Sequence, residues 1–344
     1  SRVSCPACPG LRLPGVDNSR DIREGGGQNL AARVIVGGGV VGVEGATRCR
    51  GLGCEVTVLE AADHILPFMD RESAQRLTMI LKKQGVKVEA KASVQKSEGT
   101  PGAMTVTYTD KKGAEHTVTA QGVLAAAGRK ANLEGLFGPD FSLELDRGGI
   151  VGDADGRTSV PHVYVIGDAK ARNIQLAHVA SAQGENAVAA ILGQKPALDL
   201  SVVPSCVYTN PEIATVGITE ATAHKDHMKV KCGHAFMDRN GKSIICRENG
   251  GVIRLIFEAY SNTLVGAQMM CPRATDMTGE MATAISNCLT ALYLTTSLRA
   301  HPTYSETIEL ASEAALRGKS SVRRLTTKRS KEEQYNEAAT GCYT

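Results

Sequence analysis

Hydrophobic and polar positions change rhythm once along the chain. Up to about residue 200, short β-branched runs alternate with helical stretches of small residues; beyond it, strands crowd together and helices follow. Residues 9–29 contain "LPGVDNSRDIREGGGQN", whose prolines and glycines read as loop chemistry. Residues 33–36 then predict a buried strand and 40–50 a helix. Glycines at 51–53 close that helix, and "EVTVLE" at 55–60 is a second strand. This is a βαβ unit of about thirty residues. Residues 70–84 predict a helix with Asp70 as N-cap, "VKVEA" a strand, and "MTVTYTDKKGAEHTVTA" a hairpin, because it alternates at period two around a Lys-Lys-Gly turn. "GVLAAAGRKAN" reads as a small-residue strand entering a loop, "GIVGDADGRTSVPHVYVIGDA" as strand, turn, strand, and "QLAHVASAQGENAVAAILG" as a helix. Strands are then expected at 202–207, 214–218, 229–236, 251–258 and 264–270, and helices at 275–292 and 303–317. Alternating elements first, then strands followed by helices, predict an α/β Rossmann-like part and a separate α+β domain.

Bulk properties narrow this picture. A chain of 344 residues exceeds one ordinary core, so two or three domains are expected. A net charge of +3 excludes a broad nucleic-acid surface. No apolar run reaches the roughly 18 residues needed to span a bilayer, and the opening "SRVSCPACPG" has no apolar signal-peptide core. Ten scattered cysteines favour a reducing compartment, hence a cytoplasmic protein. Cys5 and Cys8 have redox or half-zinc spacing, but no second such pair answers them, so no metal site is expected. Cys49 and Cys54 lie where a helix ends and a strand begins, and read as ordinary thiols near a turn. The charged tail at 320–344 reads as a solvated end.

Two motifs carry chemistry. Gly37, Gly39 and Gly42 form a G-x-G-x-x-G between a strand and a helix, with Glu60 ending the next strand. In that context the first glycine permits the tight turn, the second lets a pyrophosphate approach the backbone, and the third lets helix and strand pack. The helix N-terminus offers N–H groups and a positive dipole end to phosphates. Glu60 can accept from both adenosine ribose hydroxyls and would repel a 2′-phosphate, which favours NAD over NADP. A glycine-rich turn without a ligand is the alternative. The second motif, "TSVPHVYVIGDA", ends in Gly167 and Asp168, where a carboxylate can bind a ligand hydroxyl or cap a helix.

Together, "VIVGGGVVGVE", "AAGRKAN", "VYVIGDA", "QLAHVASAQGENAV", "VYTNPEIATVGITEA" and "AHPTYSE" make the chain, from about residue 31 to 317, resemble the pyridine nucleotide–disulfide oxidoreductases, most closely their dihydrolipoamide dehydrogenase branch. The resemblance implies a NAD domain at 31–145 after a 1–30 linker. It implies a returning part of an FAD domain at 146–194 and a dimerisation domain at 195–319. It places Glu44 beside the nicotinamide, where the plain reading is an ordinary helix glutamate, and Gly128 near its ribose. Asp168 falls on the flavin ribityl chain, and Gln175, Leu176, Ala177 and His178 on the helix N-terminus facing the flavin pyrimidine edge. His301 and Glu306 become an acid/base dyad, the histidine taking a thiol proton and the glutamate orienting it. Thr303-Tyr304-Ser305-Glu306 is also a capping box, which competes for the same carboxylate.

The implied cofactors are FAD and NAD. The implied partners are a second copy in a homodimer, a dithiol such as dihydrolipoamide, and a 2-oxoacid dehydrogenase complex. No nucleic-acid or membrane partner is expected. By the same resemblance, a first FAD segment with its own glycine motif and a Cys-x4-Cys disulfide should precede residue 33, where only thirty-two residues stand. The spacing of "CRGLGC" copies that disulfide in the wrong place. The expectation is therefore a truncated flavoprotein, inactive alone. The alternatives are a non-catalytic NAD-binding, dimerising remnant or another NAD(P)H-dependent flavin disulfide reductase.

Overall fold

The computed structural model describes residues 1–4, 8–24, 30–196, 198–248 and 250–318. Cys5 and the tail beyond Gly318 lie outside the described residues. The chain divides into two compact units, Ser1–Leu200 and Ser201–Thr344.

The first unit is built on a five-stranded parallel sheet. Its order is Val16–Asp17, Gly122–Ala125, Ala32–Val36, Glu55–Glu60 and Lys87–Ala90. The central strand is nearly inaccessible along Val34, Ile35 and Val36, as a strand covered on both faces requires. The helix Val40–Gly51 follows it, and the helix Arg71–Lys83 follows Glu55–Glu60. Asp70 caps the second helix by accepting from the Ser73 N–H at 3.0 Å. Leu77 and Leu81 on its inner face are fully buried. The expected hairpin forms, with Ala103–Thr109 pairing Glu115–Ala120. A third strand, Ser93–Thr100, joins it.

Three expectations are corrected here. The segment read as a pure loop contains the sheet strand Val16–Asp17 and a short helix, Ser19–Arg23. Asn18 caps that helix in a reciprocal box with Asp21, and Asp17 pairs with buried Arg33 at 3.0 Å. The strand expected within "VPHVYVIGDA" does not form. Tyr164 makes one antiparallel bridge to Arg157, Val165 is buried and Ile166 is 40% exposed. A β-branched run becomes a strand only against a neighbouring strand, and among the described residues none lies beside it. The helix expected at 275–292 is two helices, Ala274–Ser286 and Ala291–Thr296. Cys288 between them has φ +51°, and Leu289 O accepts from the Leu264 N–H, so the connection is pinned to the sheet.

The second unit is a five-stranded antiparallel sheet. Its order is Ser205–Val207, Glu212–Gly217, Leu264–Cys271, Val252–Glu258 and Val230–Phe236. Alternate residues of the sheet, among them Ala267, Met269, Ile253, Leu255 and Phe257, meet Met277, Met281, Ile308 and Ala311 of the helices in one core. The last helix is Glu306–Arg317, three residues shorter at its start than expected. This α/β part followed by an α+β part is the fold class expected from the sequence.

Candidate functional site

The glycine turn is shaped by close backbone approaches. Gly37 has φ +109°, and a Cβ there would lie 2.5 Å from the Ala126 carbonyl oxygen. Gly42 sits in the first turns of the helix, where a Cβ would lie 1.8 Å from the Gly37 oxygen. Both positions exclude any side chain. Gly39 differs: a Cβ on it would meet nothing within 4 Å, so its hydrogen faces open space. The helix Val40–Gly51 begins at Gly39 with no side-chain cap, as a helix end kept for an anion does. Glu44 is half-buried in its second turn.

Glu60 joins this turn from the end of the neighbouring strand. Its Oε2 accepts from the Gly38 N–H at 2.5 Å and its Oε1 from the Ala62 N–H at 2.7 Å. The side chain is buried, and each oxygen keeps a second lone pair. Gly128 lies two residues beyond the Ala126 contact, with φ +106° and open space where a Cβ would stand. Its carbonyl accepts from the Ser4 N–H at 2.9 Å. The turn, Glu60 and the segment leading to Gly128 are thus brought together.

Gly167 is also at positive φ, +60°, packed against Ala180, where a Cβ would come within 2.8 Å. Its N–H donates to Gln183 Oε1 at 2.7 Å, and its carbonyl accepts from Asn173 Nδ2 at 2.8 Å. Gln183 Nε2 in turn donates to Asn173 Oδ1 at 2.9 Å. This closed amide network fixes the turn Gly167–Ala169 against the helix Ala177–Ile191. Asp168 does not cap that helix. It accepts from the Ser1 hydroxyl, and Arg129 donates to the same hydroxyl at 2.8 Å. The helix opens after Leu176 without a side-chain cap, and Gln175, Ala177 and His178 are exposed.

Cys49 and Cys54 are free thiols. The Cys54 N–H donates to the Cys49 carbonyl at 3.1 Å, which closes the helix end. Burial pushes both thiols up from their ordinary value, away from the reactive thiolate. Among the described residues no cluster of His, Cys, Asp and Glu could hold a metal ion, and no helix is long and apolar enough to cross a membrane.

In the second unit, His301 Nδ1 and Glu306 Oε1 are 2.8 Å apart. The imidazole is 76% exposed and the carboxylate 25%. Glu306 Oε2 accepts from the Thr303 N–H at 2.8 Å. Glu306 thus divides its oxygens, one facing the imidazole and one accepting from the backbone, so the two contacts do not compete. The reciprocal half of the capping box is missing, because the Thr303 hydroxyl donates instead to the Ala300 carbonyl at 2.8 Å. The Thr303 N–H, and after it His301, hold the Glu306 carboxyl below its ordinary range.

Family comparison decides what this set of residues descends from. The model described as pyridine nucleotide-disulphide oxidoreductase matches residues 1–184, and that of the family's dimerisation domain matches residues 203–312. The chain belongs to the pyridine nucleotide–disulfide oxidoreductases. Dihydrolipoyl dehydrogenase of Bacillus subtilis is 35% identical over 285 residues, 82% of this chain and 60% of the relative. That of Mycoplasma pneumoniae is 34% identical over 286 residues, 82% and 61%. The chain thus spans about three-fifths of the length of the curated relatives it matches. Among solved structures, the HOCl-induced flavoprotein disulfide reductase RclA of Escherichia coli superposes with a TM-score of 0.83. It is 22% identical, covering 91% of this chain and 71% of that one, a likeness of fold. LpdA of Mycobacterium tuberculosis gives 0.75 at 26% identity, covering 83% and 61%.

Sequence reading missed several members of these constellations. Gln183 lies inside the quoted "QLAHVASAQGENAV", but nothing in its spacing points to Gly167 sixteen residues earlier. Asn173 and Ser1 carry no motif of their own, and Arg129 lies inside the quoted "AAGRKAN" without a role that its type or spacing points to. Asn240, which supports the His301 loop through the Thr303 carbonyl, joins only through the fold.

Proposed function

We infer that the chain is the nucleotide-binding and interface portion of a dihydrolipoyl dehydrogenase-like flavoprotein disulfide oxidoreductase. The observation that carries this reading is the His301–Glu306 pair: an exposed imidazole, 2.8 Å from a carboxylate, in a chain that also holds a dinucleotide turn. Residues 31–145 serve NAD, 146–194 one side of a flavin site, and 195–319 a dimer interface.

The residues fit both cofactors. Open space at Gly39 and the uncapped helix start suit a pyrophosphate. The remaining lone pairs of Glu60 suit the two ribose hydroxyls of NAD. The Asp168 carboxylate, which keeps lone pairs beyond its bond to the Ser1 hydroxyl, and the uncapped helix start at Ala177 suit one edge of FAD, the first as an acceptor for a hydroxyl and the second as a positive dipole end. Bound together, flavin and nicotinamide supply two-electron transfer between a dithiol–disulfide couple and NAD.

His301 supplies the proton chemistry. Its Nδ1 faces a carboxylate, which favours the tautomer with hydrogen on Nδ1 and a lone pair on Nε2. Nε2 then takes the proton of a substrate thiol, and Glu306 stabilises the resulting imidazolium. The substrate class is a small dithiol such as dihydrolipoamide. Exposed Leu298, Ile244 and Ile245 give the second unit apolar surface suited to a symmetric mate.

The decisive experiment fuses a flavin-binding first segment from a relative ahead of Arg33 and assays NAD-dependent dihydrolipoamide oxidation. Turnover is expected in the fusion, and His301→Ala should remove about 10²–10⁴ of its rate. A fusion as active with His301→Ala as without it overturns the reading. A fusion that binds both cofactors yet never turns over favours the non-catalytic, dimerising alternative.

A further inference from the structure

Behind the exposed imidazole stands a line of polar groups that ends on a buried amide. Asn240 is 2% exposed and precedes the helix Gly241–Cys246. Its Oδ1 accepts from the Ser243 N–H at 2.9 Å and from the Ser243 hydroxyl at 3.1 Å. Its Nδ2 donates to the Thr303 carbonyl at 2.9 Å. The N–H of that same residue donates to Glu306 Oε2, and Glu306 Oε1 faces His301 Nδ1, each at 2.8 Å. The helix backbone also stands beside the ring, since a Cβ on Gly241 would lie 3.7 Å from His301 Cε1.

Capping a helix needs only an acceptor oxygen, and serine or threonine provides one. The donor end of Asn240 is surplus to the cap, and Thr303 takes it. The carbonyl and the N–H of Thr303 lie in the two peptide planes that meet at its Cα, so holding the carbonyl restrains the residue and, through it, the approach of the N–H to Glu306. One carboxylate oxygen is thereby committed to the backbone and the other left for the imidazole. Were Thr303 released, a carboxylate 25% exposed would exchange these partners for water.

We propose that Asn240 is a positioning residue for the His301–Glu306 pair, holding Thr303 through its carbonyl so that Glu306 divides its oxygens between the Thr303 N–H and the imidazole. The catalytic meaning of the pair rests on the function proposed above; the positioning does not. The other charged or titratable groups on the surrounding elements are Glu248, which accepts from the Tyr304 hydroxyl, Asp238, Arg239, Lys242, Cys246 and Arg247 about the short helix, Arg299, which donates to Glu280, and Glu309, Glu313 and Arg317 on the helix of Glu306. None changes in the variants used below.

The test reads the ring ¹⁵N chemical shifts of His301 in this chain, assigned with His301→Gln, in alkaline buffer, where they report which nitrogen carries the hydrogen. In the parent it should sit mainly on Nδ1, which faces Glu306. Glu306→Gln should relax that preference, because the ring loses its carboxylate. Asn240→Ser keeps the helix cap and the net charge but cannot reach Thr303. It should bring the tautomer ratio to a value between the parent and E306Q, with thermal stability close to the parent. Added to E306Q, it should produce no further change. If N240S proves unstable, Asn240→Thr, an equally competent cap, gives the same reading.

A His301 tautomer ratio in N240S indistinguishable from the parent overturns the proposal. So does a change that adds in full to that of E306Q, because Asn240 would then act by another route. The measurement needs no turnover. A chain that never exchanges disulfides removes the proposed function without touching this result, and a parent-like ratio removes the positioning role without touching the function.

Discussion

Glu60 holds the Gly38 amide at 2.5 Å, so the residue that ends the second strand also braces the turn after the first. The carboxylate belongs to the frame of the turn, and on the proposed function it would also meet the ribose of NAD. NADH should bind more tightly than NADPH, because the 2′-phosphate would meet a buried carboxylate. Glu60→Gln keeps an acceptor and removes the charge, so it should narrow that gap, while Glu60→Ala should weaken NADH itself. A hydrogen bond to a charged group is worth about 1.5–3 kcal/mol, so the loss in E60A should be about tenfold or more. Fluorescence titration with both nucleotides decides it, and equal or tighter NADPH binding by the parent contradicts the assignment.

Two glycines of the turn, Gly42 and Gly39, should fail in distinguishable ways. Gly42→Ala drives a methyl group into the Gly37 carbonyl and should lower thermal stability severely. Gly39→Ala meets nothing in the free protein and has φ −72°, an ordinary value for alanine. It should leave the melting temperature nearly unchanged and still abolish nucleotide binding, since the methyl group occupies the space a pyrophosphate needs. Normal NADH affinity in G39A would mean that the phosphates lie elsewhere.

How much of this was legible in the sequence depends on where each element finds its partners. The βαβ unit, the hairpin and the five strands of the second unit are patterns of local period, and they were readable. Ser93–Thr100 was not, because "SVQKSEGT" is polar and only Ser97 is buried; it is held by its neighbour Ala103–Thr109. The run at Val163–Ile166 shows the reverse. It has strand composition but no ladder, so composition alone misleads. The glycine motif and the His301–Glu306 spacing were readable because each is local. The supports of both sites, Gln183 for Gly167 and Asn240 for Thr303, are long-range amide contacts without a spacing signature.

Arg33 offers a test of what holds the nucleotide unit together. Its side chain is 1% exposed within the central strand, and its guanidinium donates to Asp17 at 3.0 Å. Asp17→Ala leaves that buried cation without its carboxylate and should cost about 3–5 kcal/mol. Asp17→Asn, which keeps an acceptor, should cost less. Replacing Arg33 and Asp17 together with apolar residues of similar volume should recover much of the loss. Denaturant unfolding of the three variants checks the order, and a D17A variant as stable as the parent would show the pair to be dispensable.

Glu306 gives the second unit an acid-side dependence with a definite sign. Its carboxyl is held below the ordinary value of 4.5, by the Thr303 N–H first and by His301 second. A carboxylate whose pKa is depressed on folding contributes stability that is fully present above its unfolded pKa. That stability is lost as pH falls through the lower, folded value. Melting temperatures measured downward from pH 4.5 should therefore fall less steeply in Glu306→Gln than in the parent, and the two should converge in strong acid. Above pH 4.5 the parent should be the more stable. Parallel curves for parent and E306Q across the acid range would mean that the carboxylate is as free in the folded chain as in the unfolded one.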